Sequence, residues 1–390
     1  MMGLPIWSIA LPSCSAVYAL LVGVFRLSTY ENISNSKMVV NAIVPFSLLG
    51  SVFAVNRLLD EDTRGIANAS ISGLSALAMF SMWYHCVRGR KFRALNMAGK
   101  ICLVTGANAG IGFETTRELV KMGATVILGC RSEAKAQKAI QDILKCTGAN
   151  KSQVQFIASL DLSSLESVRK FVETFQKNFK SLDVLINNAG IMMHERTVTK
   201  DGMEMLMEAN HLGHALLTVL LIPLLEEKAE ARIVNVSSSL YNMQRSFDFD
   251  DVMSENNYGM FAAYSKSKLA QILFSRQLHK ELRNKGSAIT VNSLHPGTVR
   301  TEITKNMHWL MRFGDILTHP IWLVLRKSPL RGAFTTLHVA TAPELKDVSD
   351  KYFEHCEVSS FSAAARNEMD AKRVYDLTMS LVGEAKGKES

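Results

Sequence analysis

The feature that most constrains this fold is a glycine-rich turn, TGANAGIG, at residues 105–112. It follows a short apolar run at residues 101–104 and precedes a helix-like stretch. In such a strand–turn–helix unit, Gly106 permits the tight turn, Gly110 lets backbone approach a pyrophosphate, and Gly112 lets the helix pack close to the strand. The helix N-terminus also offers unpaired N–H groups to phosphates. The turn therefore predicts dinucleotide binding, although any strand-to-helix turn can carry glycine.

From Gly99 onward, short apolar runs alternate with helix-like stretches, the pattern of a parallel sheet covered on both faces. The predicted strands are residues 101–105, 125–129, 153–158, 184–187, 233–237 and 289–294. The predicted helices include residues 133–146, 165–179, 203–225 and 263–282, with a capping box at residues 163–166 before the second. Right-handed connections give an α/β fold, a doubly wound parallel sheet of the Rossmann-like kind with three layers, α/β/α.

The chain before the glycine turn has a different character. Residues 6–25, 38–55 and 66–87 are uncharged runs, and the first is long enough to cross a bilayer as a helix. The basic cluster RGRKFR at residues 88–93 follows the third run, and the positive-inside bias predicts that it stays on the cytoplasmic side. One anchor with two buried or interfacial helices is the alternative.

These patterns divide the chain into three regions. Residues 1–98 form a membrane-anchoring extension with up to three transmembrane helices, residues 99–383 a catalytic domain, and residues 384–390 a polar tail. The net charge of +8 fits either nucleic acid or an anionic membrane surface. The sequence has no nucleic-acid motif and no aromatic-basic interleaving, which favours the membrane. We expect the protein to lie in the membrane of the endoplasmic reticulum, with the catalytic domain facing the cytosol.

Arg131 stands at the end of the second predicted strand, in the sequence Gly129-Cys130-Arg131. An acidic residue at this position would bind the ribose 2′-hydroxyl of NAD, whereas an arginine suits the 2′-phosphate of NADP. Its position relative to the glycine turn favours NADP. A solvated surface arginine is the alternative.

A second constellation is YSKSK at residues 264–268, which places Tyr264 and Lys268 four residues apart on a predicted helix, and so on one face. Tyrosine, with a pKa of about 10, is a poor base at neutral pH. A neighbouring ammonium favours the phenolate and lowers that pKa, so the pair can pass a proton to or from an alcohol oxygen. Alone, Y-x-x-x-K usually marks a solvated helix face.

Three further polar features accompany this pair. Strand five ends at Ser237-Ser238-Ser239, and a serine at the carboxyl end of a parallel strand faces the crevice where ligands bind. Strand four ends in the small-residue segment NNAG at residues 187–190. Asn210 lies inside an otherwise apolar helix, where a buried amide needs partners such as a water or a backbone carbonyl.

Together these motifs make residues 99–383 resemble the short-chain dehydrogenase/reductase family. The resemblance implies a catalytic tetrad of Asn210, Ser238, Tyr264 and Lys268, with Ser237 as the alternative serine. It also implies that Asp161 meets the adenine. The expected cofactor-binding residues are Gly106, Asn108, Gly110, Ile111, Gly112, Arg131, Asp161, Leu162, Asn188, Tyr264, Lys268, Pro296, Gly297 and Thr301.

Finer motifs resemble the retinol dehydrogenase branch of that family, specifically its NADP-preferring microsomal members. They are Cys130-Arg131 and residues 210–214, 294–299 and 365–368. The resemblance implies a membrane-bound NADP(H)-dependent oxidoreductase that interconverts lipophilic alcohols and aldehydes or ketones, with retinol and retinal as the leading pair. Steroids, polyprenols and fatty aldehydes are alternative substrates, and a non-catalytic nucleotide-binding membrane scaffold is the alternative function. The long N-terminal region departs from the branch, whose members usually have one short anchor.

Residues 307–325 are rich in large apolar and aromatic side chains in the region where this family covers its substrate. They suit a lipophilic substrate or contact with a membrane surface, and ordinary packing is the alternative. His211, His214 and His295 lack a recognisable ligand pattern, and the six cysteines lack metal-ligand spacing. We therefore expect no metal site, and we leave a homo-oligomer open.

Overall fold

The computed structural model of the protein describes residues 95–299 and 327–384. The three uncharged runs and the basic cluster lie outside the described residues, and so does most of the polar tail. The same holds for Thr301 and for the apolar segment at residues 307–325.

An eight-stranded sheet in the order β3-β2-β1-β4-β5-β6-β7-β8 forms the centre of the described chain. All neighbouring strands pair in parallel except β7 and β8, which are antiparallel. The strands are β1 (Ile101–Thr105), β2 (Thr125–Gly129), β3 (Val154–Gln155), β4 (Val184–Asn187), β5 (Arg232–Val236), β6 (Thr290–His295), β7 (Tyr352–Glu354) and β8 (Glu357–Ser359). The strand order reverses between β1 and β4, so the predicted doubly wound α/β fold is confirmed.

Helices cover both faces of this sheet. They are α1 (Gly110–Lys121), α2 (Glu133–Thr147), α3 (Leu165–Asn178), α4 (Met205–Glu226), α5 (Met260–Asn284), α6 (Pro329–Thr341), α7 (Ala363–Arg366) and α8 (Glu368–Leu381). Alternate residues of β1 show the two-sided burial: Leu103 packs in one apolar cluster, whereas Cys102 and Val104 pack in the other. The first cluster includes buried residues of α3, α4, α5 and α8, and the second those of α1, α2 and α6.

Helix α4 is, within the described residues, the one helix long and apolar enough to cross a membrane, but 78% of its apolar window is buried. Its buried leucines, including Leu216, Leu217 and Leu221, pack against the sheet and α3 as core residues. Residues Glu208–Leu212 within it form a π-helical turn. Such turns are rare and often occur at functional sites, and this one carries Asn210.

Two local predictions differ from the structure. The capping box at residues 163–166 does not form, because the Ser163 hydroxyl donates to Asp161 Oδ1 at 2.7 Å. Ser164 is the N-cap of α3 instead and accepts from the backbone N–H of Ser167. The strand predicted over residues 153–158 shortens to Val154–Gln155.

Candidate active site

The glycine turn at residues 105–112 combines left-handed backbone with a lack of room for side chains. Gly106 and Gly110 adopt positive φ angles of 65° and 57°. A Cβ at Gly112 would lie 2.3 Å from the carbonyl oxygen of Gly106, so a side chain there would displace the turn. Ala109, the N-cap of α1, supplies no side-chain hydrogen bond to the helix. The residues of this turn therefore fit a dinucleotide, with N–H groups of α1 as phosphate donors.

The end of β4 packs directly on this turn. The backbone N–H groups of Asn188 and Ala189 each donate to Thr105 Oγ1 at 2.9 Å, and Asn188 Nδ2 donates to the Thr105 carbonyl at 2.8 Å. A Cβ at Gly106 would lie 3.0 Å from Ala189 Cα. The side chain of Asn188 therefore braces the glycine turn, on the same sheet edge as the cofactor site implied by the resemblance.

Arg131 and Asp161 meet at the carboxyl edge of β2 and β3. Arg131 Nη1 lies 3.8 Å from Asp161 Oδ2, and the arginine side chain is 74% exposed. Such an exposed ion pair contributes little stability. Asp161 is oriented by Ser163, whose N–H and hydroxyl both donate to Oδ1. Leu162 is buried, and its carbonyl lies so close to Gly213 that a Cβ there would approach within 2.2 Å.

The four predicted tetrad residues come from three elements. Tyr264 and Lys268 lie on α5, Ser238 follows β5, and Asn210 lies in the π-helical turn of α4. Tyr264, Lys268 and Asn210 are buried. The Ser238 side chain hydrogen bonds to the Tyr264 phenol. Ser237, the alternative serine, instead donates to the Lys268 carbonyl at 3.2 Å, which favours Ser238 as the residue facing the tyrosine.

Burial dominates the titration of the Tyr264 and Lys268 pair. Desolvation raises the pKa of Tyr264 to about 12, against a lowering by the Ser238 hydrogen bond. Desolvation also lowers the pKa of Lys268 to about 8, because the charged ammonium is the disfavoured form. Lys268 Nζ donates to the Val236 carbonyl at 3.0 Å and lies 5.9 Å from the centre of the Tyr264 ring. The lowering of the tyrosine pKa by Lys268 stays a prediction.

Asn210 finds its partners in the backbone, one of the two possibilities that the sequence left open. Its Oδ1 accepts from the Ile191 N–H at 2.8 Å, and its Nδ2 donates to the Ile191 carbonyl at 3.0 Å and to Ser267 Oγ at 3.1 Å. A Cβ at Gly190 would lie 3.5 Å from Lys268 Nζ and 3.7 Å from Asn210 Oδ1. The segment after β4 is thus held between Asn210 and Lys268.

An apolar wall adjoins Tyr264. Met192, Leu206, Met260 and Ala263 form a buried cluster with it. Partly buried residues packed against this cluster are Ile191, Met193, Leu240 and Tyr258. The Tyr264 ring is therefore packed among hydrocarbon side chains.

Sequence reasoning missed Lys327 and His355 beside Pro296-Gly297. A Cβ at Gly297, whose φ is 88°, would lie 2.9 Å from Lys327 Nζ. That ammonium lies 2.8 Å from His355 Nδ1, and burial lowers its pKa. No local motif marks Lys327, since it reaches Gly297 only through packing of distant segments.

Across residues 95–299 and 327–384, no group of three histidine, cysteine or acidic side chains could hold a metal ion. His211 and His214 are buried in α4 and bond to hydroxyl or backbone groups, and the backbone N–H of Ser239 donates to His295 Nδ1 at 3.2 Å.

Comparison with known proteins defines the class. The family model for short chain dehydrogenase matches residues 100–309. The chain therefore belongs to the short-chain dehydrogenase family, whose members are oxidoreductases that use NAD(P).

Individual relatives narrow the position within that family. The chain is 41% identical to mouse (Mus musculus) retinol dehydrogenase 14 over 294 residues, covering 74% of this chain and 87% of the relative. It is 42% identical to human (Homo sapiens) retinol dehydrogenase 11 over 295 residues, with the same shares. The chain is thus a retinol dehydrogenase-like member of the family.

A solved structure of an uncharacterised protein from Mycobacterium Paratuberculosis matches with a TM-score of 0.60 and 30% identity, covering 75% of this chain and 96% of that one. The Pseudomonas aeruginosa RhlG/NADP active-site complex matches with a TM-score of 0.53 and 24% identity, covering 67% and 96%. At 24% identity, the similarity to the Pseudomonas aeruginosa structure shows a shared fold and nothing more.

Proposed function

We propose that this protein is a membrane-bound, NADP(H)-dependent oxidoreductase that interconverts lipophilic alcohols and their aldehydes or ketones, with retinol and retinal as the leading pair. The observation that carries the proposal is the hydrogen bond between Ser238 and Tyr264, one helical turn from Lys268. A hydroxyl, a phenol and an ammonium at one sheet edge are the groups that a carbonyl–alcohol interconversion needs.

The proposed mechanism assigns one task to each side chain. NADP(H), when bound on the glycine turn, supplies or accepts the hydride. Tyr264 donates its phenolic proton to the carbonyl oxygen in reduction and removes the hydroxyl proton in oxidation. Ser238 orients the substrate oxygen beside that phenol, and Lys268 stabilises the phenolate by its charge. Asn210 holds the segment after β4 and supports the proton path.

The preference for NADP(H) over NAD(H) rests on Arg131. Its side chain is 74% exposed and stands at the carboxyl end of β2, so its guanidinium can reach a 2′-phosphate. Asp161 lies 3.8 Å away and orients the guanidinium without burying it. A guanidinium binds phosphate through paired N–H groups, which gives geometric specificity as well as attraction.

The lipophilic substrate class is supported by the apolar wall beside Tyr264 and by the names of the relatives, which are retinol dehydrogenases. Transfer of hydrocarbon onto such a wall contributes about 25 cal/mol per Å² removed from water. A short polar ketone gains little of this stabilisation. We therefore expect a long apolar carbonyl to be preferred.

The test is turnover of the full-length chain in membranes with NADPH. All-trans-retinal and other long-chain lipid carbonyls, including a steroid and a fatty aldehyde, are compared with a short water-soluble ketone. We expect a much higher kcat/KM for the long substrates. Equal turnover of the short ketone would contradict the substrate class, and no turnover of any carbonyl, with NADPH still bound, would favour the scaffold alternative.

The proposed membrane location rests on the uncharged runs before the basic cluster at residues 88–93. With that cluster on the cytosolic side, protease added to intact microsomes should digest the catalytic domain. Deleting the residues before Ala94 should release the protein from integral membrane association. Protection of the domain in sealed vesicles would instead show the inverted orientation.

A further inference from the structure

His214 lies between the two halves of the candidate site and has no role in the mechanism above. Its Nε2 lies 2.9 Å from Thr105 Oγ1, at the end of β1 where the glycine turn begins. Its Nδ1 lies 3.1 Å from the backbone carbonyl of Asn210, in the π-helical turn of α4. All three residues are buried. One imidazole therefore contacts both the cofactor side and the Asn210 side of the site.

The direction of each hydrogen bond follows from what the groups can do. A carbonyl oxygen only accepts, so Nδ1 of His214 carries the proton and Nε2 is an acceptor. Thr105 then donates its single hydroxyl proton to Nε2 at 2.9 Å, the shorter of its two acceptor contacts, since the Ile186 carbonyl lies 3.4 Å away. The same oxygen accepts the backbone N–H groups of Asn188 and Ala189 at 2.9 Å each. A hydroxyl offers one donor and two acceptor positions, so Thr105 is fully used.

The segment at residues 188–191 is fastened at both ends to the partners of His214. Thr105 accepts the N–H groups of Asn188 and Ala189 at its start, and Asn210 bonds to both backbone groups of Ile191 at its end. His214 joins Thr105 to Asn210. A closed ring of hydrogen bonds thus joins Thr105, residues 188–191, Asn210 and His214. Within this ring, Gly190 lies beside Lys268.

We propose that His214 is a positioning residue that sets the distance between the cofactor-binding glycine turn and Asn210 by closing this ring. The proposal rests on the proposed function, because it assumes that the two halves of the site act together on cofactor and substrate. His214 acts through its contacts with Thr105 and Asn210. Burial lowers the pKa of His214 to about 3, which keeps the imidazole in the neutral form that the ring of bonds requires.

The first test is hydrogen–deuterium exchange of the full-length chain purified in detergent. His214→Phe keeps a ring but removes both hydrogen bonds, and Thr105→Val keeps the side-chain shape but removes the hydroxyl. We expect faster exchange at residues 187–191 in both variants. The double variant should exchange no faster than Thr105→Val alone, because that variant already removes the hydroxyl that bonds to His214 and accepts the N–H groups of Asn188 and Ala189.

His211 provides the matched control. It is a second buried histidine on the same helix, with its pKa also lowered to about 3 by burial, but its Nε2 bonds to Thr378 Oγ1 on α8 at 2.8 Å. His211→Phe should loosen α8 and leave exchange at residues 187–191 unchanged. Equal exchange there in the His211 and His214 variants, or no change in either ring variant, would overturn the proposal.

The second test is titration of NADPH onto the same proteins. We expect the Kd to rise roughly fivefold to tenfold in His214→Phe, the scale of one ordinary hydrogen bond, and to stay near the parent value in His211→Phe. A parent protein that binds no NADPH would refute the proposed function but not the ring, which the exchange measurement tests without cofactor. If His214→Phe fails to fold, the smaller His214→Leu carries both measurements, because Thr105→Val also removes the acceptor of the Asn188 and Ala189 N–H groups.

Discussion

The ammonium of Lys268 lies 5.9 Å from the centre of the Tyr264 ring, one helical turn away on α5. Lys268 donates to the Val236 carbonyl and Ser238 supplies the hydrogen bond to the phenol, so the proposed effect of the lysine charge on the phenolate acts through space. Burial acts on the same pair in the opposite sense, because it favours the neutral form of both groups. The chemistry proposed here depends on the balance of these effects.

Tyr264→Phe removes the phenolic oxygen and nothing else. We expect kcat to fall by ~10²–10⁴-fold, the usual contribution of a general acid–base group. NADPH affinity should stay close to that of the parent. Tyr375→Phe is the control, since Tyr375 stacks on Phe274 with the ring centres 5.2 Å apart and lies on α8. Near-normal kcat in Tyr264→Phe would refute the assignment of the proton donor.

Lys266 and Lys268 separate a structural lysine from the proposed catalytic one. Lys268→Met should abolish turnover, because no charge then stabilises the phenolate. Lys266→Met should mainly lower the Tm, since its ammonium holds the loop at residues 248–254 through Asp248 at 3.2 Å and Ser254 at 3.2 Å. Steady-state kinetics and thermal denaturation of both variants check this. The reverse pattern would show that the catalytic and structural roles are assigned to the wrong lysines.

Arg131→Asp tests the cofactor preference. The parent should favour NADPH over NADH, and the variant should lose or reverse that preference. A hydrogen bond to a charged group contributes about 1.5–3 kcal/mol, or roughly 10–150-fold in affinity. Arg131→Ala is the control and should weaken NADPH without improving NADH. Equal kcat/KM for both cofactors in the parent would rule out the role of Arg131.

Gly112→Ala tests the fit of the glycine turn. The added Cβ would lie 2.3 Å from the Gly106 carbonyl oxygen, so the turn must shift and NADPH should bind much more weakly. Gly259→Ala is the control, because a Cβ there meets Ala262 at an ordinary 3.6 Å. Fluorescence titration with NADPH compares the two, and similar affinities would contradict the assignment of the turn.

The stability of the domain should fall in acid because of His211 and His214. Burial lowers the pKa of each to about 3 from an ordinary 6.5, so the unfolded chain binds more protons between these pH values. The free energy of unfolding therefore decreases as pH falls through this window, by up to about 1.4 kcal/mol per pH unit for each histidine. We expect that the free energy of unfolding, measured with denaturant at several pH values, falls less steeply with decreasing pH in His211→Phe than in the parent. An unchanged dependence of this free energy on pH would show that His211 is not buried in its neutral form.

Much of the fold could be predicted from local patterns. The predicted bounds of β1, β2 and β4 agree with the structure, because central parallel strands are continuous apolar runs between turn residues. The strands β7 and β8, three residues each, were not predicted, since such short edge segments carry almost no periodic signal. Ser164 rather than Ser163 caps α3 because Asp161, two residues earlier, engages the Ser163 hydroxyl.

The sequence by itself determined the glycine turn, the spacing of Tyr264 and Lys268, and the alternation that places their elements around one sheet. These are properties of neighbours along the chain, set by backbone freedom and helical repeat. Only the tertiary structure decided that Lys327 reaches Gly297 and that His214 joins Thr105, 109 positions earlier, to Asn210. Such contacts join segments that are distant in the chain, so they arise from how helices pack on the sheet, and no local spacing encodes them.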